Sequence, residues 1–214
     1  MEETFTYRPM AVSDLSIVLD LLSATFCNEP LEAIAGISYQ DFRDMVSFEI
    51  TPILSQGFCQ VVQNQDGIII ATLIANDVCA ERSSATSSCP SCENYLPISA
   101  MINSLYQQHV APLAQRSGQL LYVFIACVSP DYQRRGILKT LIRRSQAQAR
   151  QNGYLRITTI TTSPASQRPI MQLGYEIIGQ INYCDFEYQG KRPFSELGHL
   201  GGATVLEWDC SKSG

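Results

Sequence analysis

The sequence predicts a single α/β or α+β domain built on a mixed sheet, and three observations support this class. Two β-rich runs in residues 57–78 flank Asp66-Gly67, a dipeptide typical of tight hairpins. From residue 120 onwards, strand and helix patterns alternate, as they do where helices pack on a sheet. Hydrophobic residues make up 45% of the 214 residues and charged residues 16%, so the chain can bury a sizeable core.

The N-terminal part is predicted to contain one strand and two helices. TFTYRPM indicates a short strand, and Ser13 is expected to cap a first helix that ends at Phe26. The segment CNEPLEAIAGIS, with its proline and glycine, is expected to break that helix. Ser38 and Asp41 have the spacing of a capping box and predict a second helix that runs to about Leu54.

Residues 80–118 differ from their surroundings and are predicted to form an insertion in one domain spanning residues 1–214. The insertion begins with the Ser-rich stretch ERSSATSSCPSCEN and continues with a helical pattern to Pro112 or beyond. Cys89 and Cys92 form a C-x-x-C pair, but a zinc site needs about four ligands and no second pair follows at zinc-finger spacing. We therefore expect no metal.

The C-terminal half is predicted to contain four strands and two helices. The apolar run 120–128 indicates a strand, followed by a helix from about Gly136 to Asn152 and by a strand in YLRITTITT. SPASQRPIMQLGY predicts a short helix with Pro169 near its start and Gly174 at its end. YEIIGQINYCDFEYQG and GGATVLEWDC predict the closing strands.

The charge balance and hydropathy exclude several classes of protein. The net charge is −5 and the pI is near 5.0, which argues against general nucleic-acid binding and favours a cationic small-molecule partner. The sequence contains no run of about 18 apolar residues, so no membrane span is predicted. The acidic N-terminus lacks the apolar core of a signal peptide. We expect a cytoplasmic monomer or homodimer whose eight cysteines are mostly reduced.

The stretch SPDYQRRGILKT places three cations, Arg134, Arg135 and Lys139, where a helix is predicted to begin. A helix N-terminus carries partial positive charge, so cations are unfavourable there unless an anion is bound. Gly136 allows a ligand to approach the backbone closely. The pattern predicts an anion-binding loop; an ordinary strand-to-helix connection with surface arginines is the alternative.

VSPDYQRRGILKTLI resembles the acyl-CoA-binding segment of the GNAT acetyltransferases, V-x-P-x-x-[QR]-x-x-G-x-[GA]. Val128, Pro130, Gln133 and Gly136 match it in register, whereas Leu138 replaces the family's small residue. The resemblance implies that coenzyme A, delivered as acetyl-CoA, is the co-substrate. It also implies that its pantetheine arm pairs with backbone groups of Ala126, Cys127 and Val128. The loop expected to hold the pyrophosphate comprises Gln133, Arg134, Arg135, Gly136, Ile137, Leu138 and Lys139.

Three further segments resemble the arylalkylamine and dopamine N-acetyltransferase branch of that family. They are FCNEPLEAIAG, SQRPIMQLGYE and INYCDFEYQGKRPF, so the resemblance covers most of the chain except roughly residues 80–118. It implies a GNAT-like mixed, mostly antiparallel central sheet. That sheet would have helices on both faces and a splayed strand pair at the acyl-CoA site.

The resemblance also implies roles for three side chains. Glu29 lies where the branch has its catalytic base, and a carboxylate there can remove the proton of an alkylammonium ion. Thr162 and Ser166 match hydroxyls, one helical turn apart, that assist departure of the thiolate. Many acetyltransferases use a tyrosine for that purpose, but this chain has Ile170 at the position. A covalent route through Cys127 is less favoured than direct transfer.

These inferences predict an acetyl-CoA-dependent N-acetyltransferase that acts on the primary amine of a small molecule, arylalkyl amines among them. The amine attacks the thioester directly, because both substrates are held together. A peptide or protein amine is one alternative acceptor, and a non-catalytic acyl-CoA sensor is another function. We expect the second helix, the insertion and the late strands near Tyr183 to form the wall around the acceptor.

Overall fold

The computed structural model describes residues 3–79 and 93–212 of the chain. A seven-stranded sheet in the order β1-β2-β3-β4-β5-β7-β6 forms its centre. The strands are β1 (Thr6–Pro9), β2 (Gln60–Gln63), β3 (Ile69–Asp77), β4 (Leu120–Val128), β5 (Arg156–Thr161), β6 (Glu176–Asn182) and β7 (Gly202–Asp209). The helices are α1 (Leu15–Phe26), α2 (Pro30–Ala35), α3 (Tyr39–Ile50), α4 (Leu96–Leu105), α5 (Ile137–Gln151) and α6 (Pro164–Met171).

The sheet is mixed but mostly antiparallel. Among the described strands, only β4 and β5 pair in parallel, and α5 makes the crossover connection between them that a parallel pair requires. All other neighbouring strands pair antiparallel, including the β2–β3 hairpin predicted around Asp66-Gly67. The predicted fold class is therefore confirmed.

Helices cover both faces of the sheet and divide the core into two clusters. One face packs against α1, α3 and α4, whose fully buried side chains include Leu22, Val46 and Met101. The other face packs against α5 and α6 through side chains such as Leu141 and Ile170. The amphipathic spacing in α5 explains its orientation, because its buried residues recur every three or four positions.

The structure corrects the predicted N-terminus of the first helix. Ser13 does not cap it; a 3₁₀ turn (Val12–Asp14) precedes α1 instead. The carboxylate of Asp14 accepts the Ala11 N–H at 2.8 Å and forms a salt bridge with Arg8 at 2.6 Å. A carboxylate that satisfies a free N–H and a guanidinium together is the stronger cap.

Three other helix predictions also needed correction. The segment predicted as a break contains α2, which begins with Pro30 in its first turn and ends at Gly36 in a left-handed conformation. The second helix has the predicted capping box but ends at Ile50, where a 3₁₀ helix (Thr51–Gln56) takes over. Pro169 lies inside α6 and not near its start.

The helical pattern of the insertion is confirmed for its described part. α4 continues as a π-helical turn (Tyr106–Val110) and a 3₁₀ turn (Ala111–Leu113). Cys89 and Cys92 lie outside the described residues. Within the described ranges, no group of three or more metal-ligating side chains could hold a metal ion, and no helix is long and apolar enough to cross a membrane.

Candidate active site

Strands β4 and β5 separate halfway along their length. They pair only between Leu120–Val123 and Arg156–Thr159. The β3–β4 register shifts so that Phe124 is an extra residue in β4, and such a bulge bends a strand away from its neighbour. Leu120 to Val123 are buried, whereas Phe124 to Ala126 are only half-buried. The end of β4 therefore borders a gap in which its backbone groups can pair with a ligand.

The loop after β4 presents backbone N–H groups to the same gap. Gly136 is the N-cap residue of α5, with φ of 77°, and the helix start has no side-chain cap. Arg134 also has a positive φ, 61°, which is unfavourable for a residue with a side chain. Left-handed residues beside a helix start turn successive N–H groups in one direction and form an anion-binding concavity.

The three cations of the loop have different environments. Arg134 and Lys139 line the cavity described below, as does Arg168 of α6, which the sequence analysis did not identify. Arg135 does not line it: its side chain pairs with Glu3, donates to the Asp131 carbonyl at 2.8 Å and lies over the Tyr132 ring. Arg135 is thus held by protein groups.

One cavity of about 710 Å³ connects this loop with the opposite side of the sheet edge. Its lining at the loop end comprises residues of β4, the loop and α5, including Ala126, Cys127, Val128, Gln133, Gly136, Ile137 and Leu138. At the other end the lining is mainly apolar and aromatic and comes from α1, α3 and the insertion. It includes Phe26, Phe42, Met45, Tyr95, Ile98 and Ile102.

Two carboxylates, Glu29 and Glu32, line the apolar end of the cavity. They occupy the N-cap and third positions of α2, so they lie on one face of that helix. Burial raises the pKa of the half-buried Glu29. Glu32 is only 4% exposed; burial, with a smaller contribution from the charge of Glu29, raises its pKa to about 8. Within the described part of the chain, no cation forms a salt bridge with either group.

The structure places the hydroxyl groups predicted to act on the leaving thiolate at the same cavity. Thr162 and Ser166 both line it. They are not one helical turn apart, because Thr162 precedes Ser163, the N-cap residue of α6. The Ser166 hydroxyl donates to the Ser163 carbonyl at 2.9 Å, and buried Tyr183 donates to the Thr162 carbonyl at 2.5 Å. Tyr183 thus holds the β5–α6 connection in place.

Cys127 is a neutral thiol in this environment. It is buried on β4, and burial raises its pKa to about 12. Since the thiolate is the nucleophilic form of cysteine, a covalent acyl-cysteine is disfavoured. Glu29 and Glu32, which line the same cavity, are chemically able to accept a proton from a bound ligand.

The structure brings nearly all residues predicted for the site to one cavity. Glu29, Thr162, Ser166 and the loop and strand residues line it, with Arg135 the exception. Glu32 was missed because its segment was interpreted as a break; the spacing E-P-L-E, placed on a helix, would have identified it. Of the three parts predicted for the acceptor wall, the second helix and the insertion line the cavity, whereas Tyr183 and the late strands do not.

Comparison with protein families gives one match. The model of the acetyltransferase (GNAT) family matches residues 98–175, which include β4, the loop, α5, β5 and α6. No curated protein matches the chain. The match confirms the predicted GNAT resemblance over these residues and supports the prediction of an acyltransferase, and the family implies acetyl-CoA as the co-substrate.

Several solved structures share the fold over nearly the whole chain. The C-terminal condensation domain of Ebony, in complex with β-alanyl-dopamine, has a TM-score of 0.83 at 17% identity, with 97% of this chain and 100% of that chain covered. Arylalkylamine N-acetyltransferase 2 from Aedes aegypti has a TM-score of 0.75 at 16% identity, over 97% and 100%. The polyamine N-acetyltransferase of Drosophila melanogaster has a TM-score of 0.74 at 18% identity, over 96% and 100%.

Proposed function

Because the chain carries a GNAT acetyltransferase domain, we propose that it transfers the acetyl group of acetyl-CoA to the primary amine of a small molecule. The observation that carries this proposal is the continuity of one 710 Å³ cavity between the loop at α5 and the carboxylates of α2. One end is suited to a phosphorylated thioester and the other to a cationic amine. The two substrates would meet beside the gap between β4 and β5.

The residues at the loop end fit coenzyme A. The pyrophosphate would accept hydrogen bonds from the N–H groups of residues 134–138, since the Gln133 N–H already donates to the Pro130 carbonyl. A helix N-terminus and left-handed residues favour an anion there. A Cβ on Gly136 would have no protein atom within 4 Å, so the space beside it is open to a ligand. Arg134, Lys139 and Arg168 would supply positive charge around the phosphates.

The reaction needs two proton movements and one exchange of bonds. Glu29 accepts a proton from the ammonium ion and leaves a neutral amine. The amine nitrogen attacks the thioester carbonyl, a C–N bond forms and the C–S bond breaks. The second proton of the nitrogen passes to the departing thiolate, with Ser166 and Thr162, which line the cavity, as the hydroxyls predicted to assist. Strand N–H groups at the end of β4 would stabilise the carbonyl oxygen.

The acceptor end supports a small amine more than a peptide. Its carboxylates lie beneath an aromatic and aliphatic lining, and Glu32 is only 4% exposed. A peptide acceptor would bury many backbone N–H and C=O groups there without hydrogen-bond partners, and burying such groups costs free energy. An alkylamine with an apolar or aromatic body would leave only its ammonium group to be satisfied, and the carboxylates can satisfy it.

A second candidate differs in the acyl donor. The Ebony domain of similar fold is named as a condensation domain and holds β-alanyl-dopamine. Its similarity to this chain supports an acyl transfer to an amine in which the acyl group is larger than acetyl. Such an enzyme would use the same carboxylates but would turn over acetyl-CoA poorly compared with other acyl thioesters.

A thiol-release assay tests both candidates. Purified protein is mixed with acetyl-CoA and a panel of alkylamines, arylamines and peptide amines, and free coenzyme A is measured over time. Amine-dependent release with an alkylamine is the expected result. Release only with other acyl-CoA thioesters would favour the second candidate. Binding of coenzyme A without release from any pair would favour a sensor and contradict the proposal.

A further inference from the structure

Glu32 is a buried carboxyl group that no protein group neutralises within the described residues. It is 4% exposed, lines the cavity, and its Oε2 atom has no hydrogen-bond partner in that part of the chain. A carboxylate removed from water without a cation or a full set of hydrogen bonds costs several kcal/mol. A proton or a cationic ligand must therefore compensate it, and Glu32 belongs to the lining of the cavity, next to the space that a ligand would fill.

The groups that the structure describes around Glu32 add no positive charge. On its own helix, Glu29 is a second acid. Tyr183, from the segment after β6, is a neutral phenol whose pKa is raised by burial and by the two carboxylates. The neighbouring helices contribute apolar lining, with Phe42 from α3 and Ile98 from α4. The acceptor end of the cavity is thus an acidic site with no internal counter-ion in the described part of the chain.

We propose that Glu32 is a specificity-determining residue that binds the ammonium form of the acceptor and selects strongly basic alkylamines over weakly basic arylamines. This inference rests on the proposed function, because it concerns the acceptor of that reaction. Glu29 and Glu32 form a two-carboxylate subsite in which Glu32 pairs with the incoming cation. Glu29 then removes the proton that has to leave before attack.

The proton balance of the subsite is consistent with these roles. In the free protein near neutral pH, Glu32 holds a proton, because its pKa is about 8. A bound ammonium ion favours the carboxylate form, so Glu32 releases its proton to solvent as the cation enters. An arylamine is neutral at this pH and cannot drive that ionisation. It would leave Glu32 protonated and gain no ion pair.

Two isomeric acceptors give a direct test. Phenethylamine is an alkylamine and mostly protonated near neutral pH, whereas para-ethylaniline has the same atoms but is mostly neutral. The wild-type protein, Glu32→Gln and Glu32→Asp are assayed with each isomer near neutral pH. Glu93→Gln is the matched control, since Glu93 is an exposed carboxylate just before α4 and does not line the cavity. The Michaelis constant for acetyl-CoA is measured for every variant.

Glu32→Gln should raise the Michaelis constant for phenethylamine by about 10- to 100-fold, as expected for a lost ion pair in a desolvated site. The constants for para-ethylaniline and for acetyl-CoA should change by less than about twofold, because neither ligand pairs with Glu32. Glu32→Asp should restore part of the affinity for the alkylamine, and Glu93→Gln should behave like wild type.

Two results would overturn the role of Glu32 while leaving the acetyltransferase proposal intact. One is an unchanged Michaelis constant for the alkylamine in Glu32→Gln, and the other is an equal increase for both isomers. If neither the wild-type protein nor any variant releases thiol with any amine, it is the proposed function that fails.

Discussion

The two ends of the cavity are formed by different kinds of groups. The cofactor end consists largely of backbone from one continuous segment, residues 126–139, with Arg134 and Gly136 held in left-handed conformations. The acceptor end consists of side chains from separate parts of the chain, with two carboxylates on α2 and apolar groups on α3 and α4. We therefore expect shape to dominate binding at the first end and charge at the second.

This difference has an energetic consequence. Backbone N–H groups at a helix start are solvated in the free protein and need no compensation before a phosphate arrives. A buried carboxyl such as Glu32 costs free energy in the free protein unless it holds a proton. We therefore expect substitutions at the cofactor end to act through conformation, and substitutions at the acceptor end to act through protonation.

Glu29→Gln should have the largest effect on turnover. Loss of a general base typically costs about 10²–10⁴-fold in rate, so kcat/KM should fall by that amount. The affinity for coenzyme A should not change, because Glu29 is at the opposite end of the cavity from the loop. The acidic limb of the kcat profile should disappear with the titrating carboxylate. Steady-state kinetics over a range of pH around neutrality measure both effects.

Near wild-type turnover by Glu29→Gln would contradict the assignment. It would move the role of base to Glu32, the other carboxylate of the subsite. Glu32→Gln would then abolish turnover of phenethylamine and would not merely raise its Michaelis constant. The pair of variants therefore distinguishes a base from a residue that binds the substrate.

The conformation of the loop at the cofactor end could be predicted from the sequence because its residues are consecutive in the chain. The strand, the loop and the helix start follow one another, and the left-handed position falls on Gly136 as the motif requires. Arg135 was the exception, because its pairing with Glu3 joins residues far apart in the sequence and leaves no local signal.

The residues of the acceptor end could be predicted only in part. Glu29 came from a resemblance, whereas Glu32 was missed because a six-residue helix between Pro30 and Gly36 has too weak a periodicity to be identified. Packing against the rest of the fold, not local propensity, stabilises such a helix. The contribution of Tyr183 depends on its hydrogen bond to the Thr162 carbonyl, a contact that only the folded chain creates.

At the acceptor end alone, Glu32 should make the free energy of unfolding depend on pH. Burial raises the pKa of Glu32 from 4.5 to about 8, so between these values the unfolded state loses the proton that the folded state keeps. The free energy of unfolding attributable to Glu32 should therefore fall as pH rises from 4.5 to about 8 and then level off. At about 1.4 kcal/mol per pKa unit, the fall amounts to a few kcal/mol.

Glu32→Gln should remove this fall, because glutamine does not titrate. Urea unfolding at about pH 5 and about pH 9 measures it as the difference between the variant and wild type, in which the contributions of other groups cancel. Glu93→Gln serves as the control and should show the wild-type difference. Equal losses of stability in wild type and Glu32→Gln would contradict a buried, protonated Glu32.

Gly136→Val should weaken coenzyme A binding through backbone conformation and by placing a side chain in the space that is open to the ligand. With φ at 77° and no protein atom within 4 Å of the added Cβ, the substitution meets no clash inside the protein. A β-branched residue in this conformation costs about 1–2 kcal/mol, which corresponds to about 5- to 30-fold in binding. Arg134→Ala removes one exposed cation and should cost only about 2- to 5-fold.

Calorimetric titration with coenzyme A measures both dissociation constants. If Arg134→Ala weakens binding more than Gly136→Val, charge and not shape determines binding at this end, and the contrast with the acceptor end fails.

Ser166→Ala should have the smallest effect on turnover. The Ser166 hydroxyl already donates to the Ser163 carbonyl at 2.9 Å, so it can serve the departing thiolate only by giving up a local bond. Water can replace such a hydrogen bond, and one hydrogen bond contributes about 0.5–1.5 kcal/mol, so we expect kcat to fall about 2- to 10-fold. The Michaelis constant for acetyl-CoA should not change.

A melting curve of the same variant distinguishes a catalytic from a structural role of Ser166. A lower melting temperature with wild-type kcat would make Ser166 a structural residue of α6. A fall as large as that of Glu29→Gln would instead make its proton transfer indispensable.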